Sequence, residues 1–348
     1  MGFRRIAIVM AGGSGTRFWP VSTPERPKQF LRLAHPDKSL LQESVERIEP
    51  LVGEDVFIST ASSMVSASRT ECPQLKSDNF LGEPHKRNTF GALVWTTAHF
   101  IATTEDWEQT SIAVLTADHL IRPAEKFRDT VEQAMALAEE RQTLVTIGIR
   151  PTRPATEYGY VKVGDRIKDG AWSAQTFTEK PDAGSATNFI SLGNYFWNSG
   201  MFFWTLGAFH DQVKKHLPEQ ALVMTEIAGL LSKDRGDQAA DKFAELTDIS
   251  IDYALMERAD KVDLVEAKFE WDDLGSWDAL SRCAGQGTDN TTVGATNIID
   301  SQECVVYNDS EAITVNLLGM DNVVVVVTDK DVMVCPKSRA QDVKKFSD

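Results

Sequence analysis

The sequence predicts an α/β protein with a mostly parallel sheet, followed by a small β-rich element. Short apolar runs alternate with segments of helical periodicity through the first half of the chain, which favours strands linked by helices on both faces of a sheet. The first run, residues 4–10, carries five consecutive apolar residues before a glycine-rich loop, as expected for a strand buried on both faces. Helical patterns fade after about residue 285. We therefore expect two domains, residues 1–284 and 285–348.

The individual elements follow from the same periodicities. Strands are expected at 55–61, 111–118 and 143–149, with helices at 39–48, 88–103 and 124–141 between them. Further strands are expected at 158–163 and 173–177, and helices at 206–217, 219–231 and 238–246. Five short β-rich runs follow, at 297–299, 304–307, 312–317, 322–328 and 331–335. Residues 323–327 are all valine, so we expect them to be buried, with another subunit as one candidate cover.

Composition and charge exclude several classes of protein. The net charge of −15 argues against nucleic acid as a partner. No apolar stretch approaches the length of a membrane span, and the N-terminus lacks the layout of a signal peptide. The four cysteines are widely spaced and form no C-x-x-C pair, which argues against a zinc site or a disulfide framework. We therefore expect a cytoplasmic protein with no nucleic-acid partner and no membrane partner.

The first 35 residues depart from the acidic trend, with six basic side chains and one acidic one. A positive patch in an acidic protein indicates an anionic small ligand. For Arg4, Arg5 and Arg32, a solvated basic face is the alternative interpretation.

The loop after the first strand reads Gly12-Gly13-Ser14-Gly15-Thr16-Arg17. Ligands of α/β sheets bind at the carboxyl ends of strands, and glycines let backbone N–H groups approach an anion. The loop is therefore a candidate phosphate-binding loop, with Arg17 supplying charge, although a strand-ending turn is equally compatible with it. It matches neither the Walker A pattern nor the dinucleotide fingerprint.

Three further segments carry candidate charged residues. Lys28 lies close in sequence to Arg17, so both could face one phosphate chain. Asp118 ends an apolar strand, where a carboxylate would suit Mg²⁺ beside phosphates, or alternatively an N-cap or a turn. Asp272 and Asp273 lie between two tryptophans, and in extended structure only one of them would face a site.

Two segments are candidates for binding a sugar phosphate. Glu179 and Lys180 put an acceptor beside a cation, and the alternative is an exposed ion pair before a proline. Asn198 lies among aromatic residues and could place a polar amide inside an apolar pocket.

The ordered set of motifs resembles the sugar nucleotidyltransferases, and among them the mannose-1-phosphate guanylyltransferases (GDP-mannose pyrophosphorylases). The resemblance covers roughly residues 5–280, and the variants Phe18-Trp19-Pro20 and Pro27-Lys28-Gln29-Phe30 single out the guanylyl branch. The remaining matching motifs are Glu83-Pro84, Arg87-Asn88-Thr89, Ala117-Asp118-His119, Tyr158-Gly159-Tyr160, Phe177 to Pro181, Asn198 to Met201, Ile251-Asp252-Tyr253 and Trp271 to Trp277.

The resemblance implies a Rossmann-like, GT-A-like nucleotidyltransferase domain over 1–284 and a β-rich C-terminal element over 285–348. It implies that GTP and α-D-mannose 1-phosphate give GDP-mannose and pyrophosphate with Mg²⁺, by direct in-line attack, in a homodimer. Arg17 and Lys28 would be catalytic, and Asp118 and Asp273 would ligate Mg²⁺. The nucleotide would be bound by Gly12, Gly13, Gly15, Thr16, Glu83, Asn88 and Thr89. The sugar phosphate would be bound by Gly159, Glu179, Lys180 and Asn198.

Two alternatives remain open beside this function. The same chemistry could use another sugar 1-phosphate or another nucleotide, because one hydroxyl contact can determine selectivity. A non-catalytic GDP-sugar sensor on the same fold is the other, and it would be expected to lack a charged site residue. Longer relatives carry an added C-terminal isomerase domain, for which a chain of 348 residues lacks room. We therefore expect no phosphomannose isomerase activity here.

Overall fold

The strands and helices are those of a computed structural model that describes residues 2–13, 15–283 and 290–347. The strands are β1 (Arg4–Met10), β2 (Val56–Ala61), β3 (Phe80–Glu83), β4 (Thr110–Thr116), β5 (Leu120–Arg122), β6 (Leu144–Ile149), β7 (Tyr160–Lys168), β8 (Ala171–Thr178), β9 (Tyr195–Thr205), β10 (Val262–Glu266), β11 (Glu270–Asp272), β12 (Thr291–Val293), β13 (Thr296–Ile299), β14 (Val305–Asn308), β15 (Val315–Leu318), β16 (Val323–Val327) and β17 (Val332–Pro336).

The α-helices are α1 (Leu40–Val52), α2 (Val65–Glu71), α3 (Asn88–Thr103), α4 (Ala124–Arg141), α5 (Ala183–Leu192), α6 (Leu206–His216), α7 (Pro218–Leu231), α8 (Gly236–Phe243) and α9 (Ala279–Cys283). Among these helices, none combines the length and the apolar character needed to cross a membrane.

The described chain divides into two units. The first comprises Met1–Met10, Val45–Thr116 and Arg122–Phe269, and the second comprises Ala11–Ser44, Ala117–Ile121 and Glu270–Asp348. The expected boundary between residues 284 and 285 lies outside the described residues, so the division into 1–284 and 285–348 stays a prediction.

The first unit is built on a nine-stranded sheet in the order β3-β2-β1-β4-β9-β6-β10-β8-β7. Seven strands point the same way, and β9 and β8 run opposite to them. Strand β1 pairs in parallel with β2 and β4, and its residues 6–9 have no exposed surface. The predicted α/β fold with a mostly parallel sheet is confirmed.

Strand β9 is a central strand that the sequence pattern did not predict. It pairs antiparallel with both β4 and β6, and its residues from Met201 to Thr205 are all buried. A strand covered on both faces loses the alternation of polar and apolar residues by which a half-buried strand is recognised. It carries Asn198, one of the predicted sugar-phosphate residues.

The second unit contains stacked short strands. Strands β12, β14 and β16 pair in parallel, β13 pairs in parallel with β15, and β17 closes the larger sheet antiparallel to β16. Parallel strands at successive turns of the chain form a β-helix. In β16 alternate valines face different clusters, with Val324 and Val326 in one and Val323, Val325 and Val327 in the other. The chain itself therefore covers the valine run.

The chain ends in a 3-10 helix, Lys337–Phe346, that the β-rich pattern did not predict. It packs on the short 3-10 turn Thr16–Phe18 of the same unit, where the Ser347 hydroxyl donates to the Thr16 carbonyl at 3.2 Å. The rings of Phe346 and Trp19 stack with centroids 5.0 Å apart.

Candidate active site

A cavity of about 350 Å³ in the second unit gathers charged candidates of the glycine-rich loop and of the three further segments. Its wall includes Gly15, Thr16, Arg17, Lys28, Asp118 and Asp273. Lys28 and Asp273 are 245 positions apart in the sequence, and the fold brings them to one surface.

The glycine-rich loop holds Lys28 closely. Gly15 has φ of +60°, and a Cβ there would lie 2.5 Å from the Cβ and 2.7 Å from the backbone nitrogen of Lys28. Only glycine fits both this conformation and this approach. Gly12 and Gly13 lie exposed on the same loop, whereas Ser14 falls outside the described residues.

Lys28 is the central cation of the cavity. Its ammonium donates to the Asp118 carboxylate at 2.8 Å and to the Asp273 carbonyl at 2.6 Å, and its side chain is only 10% exposed. Burial alone would raise the pKa of Asp118, but the positive charge of the Lys28 ammonium holds that pKa below its usual range. Asp118 is therefore ionised throughout the physiological range.

The two adjacent carboxylates of the tryptophan segment point to different partners. Asp272 accepts from the Arg282 guanidinium at 2.8 Å and from the Leu274 backbone nitrogen at 2.8 Å. Asp273 lines the cavity, with a carboxylate oxygen 3.0 Å from the position that a Cβ on Gly275 would take.

The two tryptophans of this segment support the cavity wall. The Trp271 indole donates to Nδ1 of His119 at 3.1 Å, and the Trp277 indole donates to the Trp19 carbonyl at 3.0 Å. Burial lowers the pKa of His119, so its imidazole is neutral and the bond from Trp271 assigns its proton to Nε2. His119 is thus held by Trp271 at the cavity wall.

The carboxylates of the cavity wall match the donor set of a divalent cation that is shared with phosphates. In the described ranges there is no group of three or more His, Cys, Asp or Glu side chains placed to hold a metal. Asp118 and Asp273 supply two carboxylates, and Mg²⁺ is usually bound by one or two carboxylates together with phosphate oxygens and water.

The basic residues near the N-terminus separate into two groups. Arg17 and Lys28 line the cavity. Arg4 pairs with Asp55 at 2.5 Å, Arg5 with Glu139 at 2.7 Å and Arg26 with Asp309 at 2.7 Å.

A second polar cluster lies in the first unit and gathers the sugar-phosphate candidates. The Asn198 amide donates to Asp252 at 2.8 Å and accepts from the Thr146 hydroxyl at 3.1 Å. The Asn198 backbone nitrogen donates to the Gly159 carbonyl at 2.8 Å, and a Cβ on Gly159 would meet the Glu179 carboxylate. Lys180 donates to Glu179 at 2.6 Å and has an exposed ammonium.

Asp252 belongs to this cluster, although the sequence pattern assigned it no role. It begins a π-helical turn, Asp252–Met256. Burial, with the charge of Glu179 adding to it, raises the pKa of Asp252 to about 6. Its motif, Ile251-Asp252-Tyr253, is one of those that carry the family resemblance. That motif is the feature of the sequence by which Asp252 could have been identified as a candidate.

The base and ribose candidates lie at the end of β3 and at the start of α3 in the same unit. Burial raises the pKa of Glu83 to about 7. The hydrogen bond that the Ser59 hydroxyl donates to this carboxylate, at 3.1 Å, has the smaller and opposite effect and lowers the pKa. Asn88 has φ of +57° and accepts from the Thr89 backbone nitrogen at 2.9 Å. The Thr89 hydroxyl accepts from the Ile251 backbone nitrogen at 2.8 Å, so Thr89 also fixes the turn that carries Asp252.

Comparison with known families agrees with this architecture. The profile described as nucleotidyl transferase matches residues 6–289, and the profile described as a MannoseP isomerase/GMP-like beta-helix domain matches residues 295–347. The chain belongs to the nucleotidyl transferase family and is an enzyme of that type.

Similar proteins match over nearly the whole chain. A Vibrio cholerae protein described as a putative mannose-1-phosphate guanylyltransferase is 32% identical, over 98% of this chain and 73% of its own length. An Escherichia coli mannose-1-phosphate guanylyltransferase is 34% identical, over 98% of this chain and 72% of its own. A solved structure from Thermus thermophilus, described as a mannose-1-phosphate geranyltransferase, has a TM-score of 0.87 and 33% identity, over 99% of this chain and 98% of that one.

Proposed function

We propose that this protein transfers GMP from GTP to α-D-mannose 1-phosphate, giving GDP-mannose and pyrophosphate. The observation that carries the proposal is the single cavity in which Arg17, Lys28, Asp118 and Asp273 meet. Two cations and two carboxylates on one wall suit a polyphosphate that arrives with a divalent cation. The guanylyltransferase names of the Vibrio and Escherichia relatives favour GTP and mannose 1-phosphate as the substrates.

The nucleotide phosphates would be held by the backbone of Gly12, Gly13, Gly15 and Thr16. Arg17 and Lys28 would neutralise the triphosphate and then the pyrophosphate that leaves. Lys28 suits this role because its ammonium is already held in the cavity by Asp118 and by the Asp273 carbonyl. Such preorganised charge costs no reorganisation at the moment of reaction.

Asp118 and Asp273 would hold Mg²⁺. When bound, Mg²⁺ would supply positive charge against the phosphates and the leaving pyrophosphate. The low pKa of Asp118 supports this role, because a metal-binding carboxylate must be ionised.

The sugar phosphate would be bound in the first unit by Gly159, Glu179, Lys180 and Asn198. Glu179 and Asn198 would orient sugar hydroxyls, and the exposed ammonium of Lys180 would meet the phosphate. Asp252 would join them as a further acceptor, since it already bonds to Asn198. Glu83 would accept hydrogen bonds from guanine, and Asn88 and Thr89 would contribute to binding of the base and ribose.

The chemical step needs positioning and charge more than acid–base help. An oxygen of the mannose phosphate, already anionic at neutral pH, would attack the α-phosphorus in line. The new O–P bond would form as the bond to the β-phosphate oxygen breaks, and pyrophosphate would leave with the bonding electrons. We therefore expect no covalent enzyme intermediate, and trapping a guanylylated residue during turnover would contradict this mechanism.

The experiment is pyrophosphate release with Mg²⁺ over a grid of substrates. GTP, ATP, UTP and dTTP would each be paired with mannose, glucose and fucose 1-phosphates. Release mainly with GTP and mannose 1-phosphate supports the proposal, and release with another pair would reassign the substrates while keeping the chemistry. No release by folded protein that binds GDP-mannose would favour a sensor. The same protein would also be assayed for phosphomannose isomerase activity, and we expect none.

We further propose a homodimer in the cytoplasm. Exposed apolar side chains on the C-terminal strands, including Ile299, Leu318 and Val332, would be covered in a dimer. Equilibrium sedimentation tests this. Cys72, Cys304 and Cys335 are free thiols, which suits a reducing compartment.

A further inference from the structure

The cavity of the second unit has one more cation, which comes from the far end of the chain. Lys344, in the terminal 3-10 helix Lys337–Phe346, lines the same wall as Arg17 and Lys28. The glycine-rich loop and this helix are separated by more than 300 positions in the sequence. No motif of the sequence singled out Lys344.

The segment that carries Lys344 is anchored on both sides of it. Val343 is 2% exposed and belongs to the apolar cluster of this unit. On the other side, Phe346 stacks on Trp19 and the Ser347 hydroxyl donates to the Thr16 carbonyl. Earlier in the helix, the Gln341 amide donates to the Ser276 hydroxyl at 2.8 Å. The backbone of Lys344 is thus fixed against the loop that includes Arg17.

The charges around Lys344 leave its ammonium available to an anion. Lys28 is bonded to Asp118 and Asp273, as described above. Across the described chain no carboxylate lies within ion-pair distance of Arg17 or Lys344. The neighbouring Lys345, in contrast, pairs with Asp342 at 2.8 Å.

We propose that Lys344 is a further phosphate-binding residue of the nucleotide site, contacting the part of the triphosphate that leaves as pyrophosphate. The inference rests on the proposed function. With Lys344, three cations face a polyphosphate that carries about four negative charges, and each charge-assisted hydrogen bond strengthens binding. The C-terminal element thereby contributes a binding residue to the nucleotide site, besides its own packing.

The test compares Lys344→Ala with Lys345→Ala in the full chain. The control removes an adjacent lysine that pairs with Asp342 instead of lining the cavity. Calorimetry with pyrophosphate gives the dissociation constant without turnover, and kinetics give the KM for GTP, for pyrophosphate in the reverse reaction, and for mannose 1-phosphate.

Lys344→Ala should weaken pyrophosphate binding and raise the KM for GTP and pyrophosphate by about 10- to 100-fold. The KM of Lys344→Ala for mannose 1-phosphate should stay within about twofold of the wild-type value. All constants of Lys345→Ala should also stay within about twofold of wild type. Lys344→Arg keeps the charge and should restore most of the affinity. Equal constants for Lys344→Ala and Lys345→Ala would overturn the inference.

Two further outcomes separate the inference from the proposed function. Thermal unfolding of each variant shows whether the helix stays folded, and Lys344→Gln, which preserves the length of the side chain, replaces Lys344→Ala if that variant unfolds. If the wild-type protein used another nucleotide or sugar, pyrophosphate would still be the product. Loss of pyrophosphate binding in Lys344→Ala would then support the inference about Lys344, although the proposed substrates were wrong. If the wild-type protein turned over GTP and mannose 1-phosphate but Lys344→Ala bound pyrophosphate as wild type does, the inference would be refuted and the proposed function would stand.

Discussion

Asp118, in the cavity of the second unit, and Asp252, in the polar cluster of the first unit, are the same residue type with opposite shifts in pKa. Both are subject to desolvation, which raises the pKa of a carboxyl group. At Asp118 the charge of Lys28 overcomes that effect and holds the pKa low. At Asp252 the neighbouring charge is that of Glu179, so the two effects add and the pKa rises to about 6.

The difference indicates a division of labour between the two sites. The cavity is organised by opposite charges, which suits phosphates and Mg²⁺. The cluster is organised by hydrogen bonds among Asn198, Asp252 and Thr146, which suits neutral hydroxyl groups. A site built to hydrogen-bond a hydroxyl discriminates strongly against a substrate that lacks it. We therefore expect rate to depend on the cavity and sugar selectivity to depend on the cluster.

The largest effect is expected in the cavity, from Asp273→Asn. Loss of a carboxylate from the cavity should lower kcat by about 10²- to 10³-fold and raise the Mg²⁺ concentration needed for half-maximal rate. Asp272→Asn is the matched control, because Asp272 pairs with Arg282 instead. It should lower the melting temperature and change kcat by less than about threefold. Equal losses of kcat in the two variants would break the assignment of Asp273.

The next effect is expected in the cluster, from Asp252→Asn. Replacing a charged acceptor by a neutral one should raise the KM for mannose 1-phosphate about tenfold and change kcat much less. Asp248→Asn, at an exposed position four residues earlier, is the control and should behave as wild type. A fall in kcat with unchanged KM would place Asp252 with the catalytic groups and contradict the comparison.

The pH dependence of sugar binding sharpens the same comparison. Above pH 6 Asp252 is ionised and accepts hydrogen bonds, and below pH 6 it is protonated. The difference in KM between wild type and Asp252→Asn, about tenfold at pH 8, should therefore shrink to about twofold at pH 5. The phosphate of the substrate also titrates near pH 6. Because that titration is common to both proteins, the ratio of their KM values isolates Asp252. A ratio that does not change with pH would refute the prediction.

The smallest effect is expected at Glu83. Burial raises its pKa to about 7, and the hydrogen bond from the Ser59 hydroxyl keeps that pKa from rising further. Its carboxylate form, which would accept from guanine under the proposed function, is lost as the pH falls through 7. Ser59→Ala should raise the pKa further and lower kcat/KM for GTP at pH 7 by roughly two- to fivefold, with recovery at about pH 8.5. In Ser62→Ala the lost hydroxyl bonds the Glu83 carbonyl instead, so the pH profile should not move. A shift of equal size in both variants would exclude the bond from Ser59 as the cause.

Much of the fold was predictable because it follows from local periodicity. The helices at 88–103 and 124–141 agree with α3 and α4 at both ends. Strand β9 and the terminal 3-10 helix were not predicted, since β9 lacks alternation and the helix is held by contacts with Trp19 and Thr16. For the candidate site, the motifs singled out Lys28 and Asp118, and the fold brings both to the wall of one cavity. Their roles there stay a prediction.

The sequence by itself indicated the class of enzyme through its resemblance to a family, which an ordered set of motifs carries. It also singled out the glycine-rich loop and the candidate ligands, because glycine tolerance, charge and apolar periodicity are properties of short segments. Tertiary structure decided which candidates act together. Asp272 and Asp273 are adjacent and chemically identical in sequence, but in the fold Asp272 pairs with Arg282 and Asp273 lines the cavity. Asp252 lies beside Asn198, and Lys344 lies beside Arg17, only because the fold brings distant segments together. Electrostatic and hydrogen-bonding effects fall off over a few ångströms, so they depend on distances that only the folded chain defines.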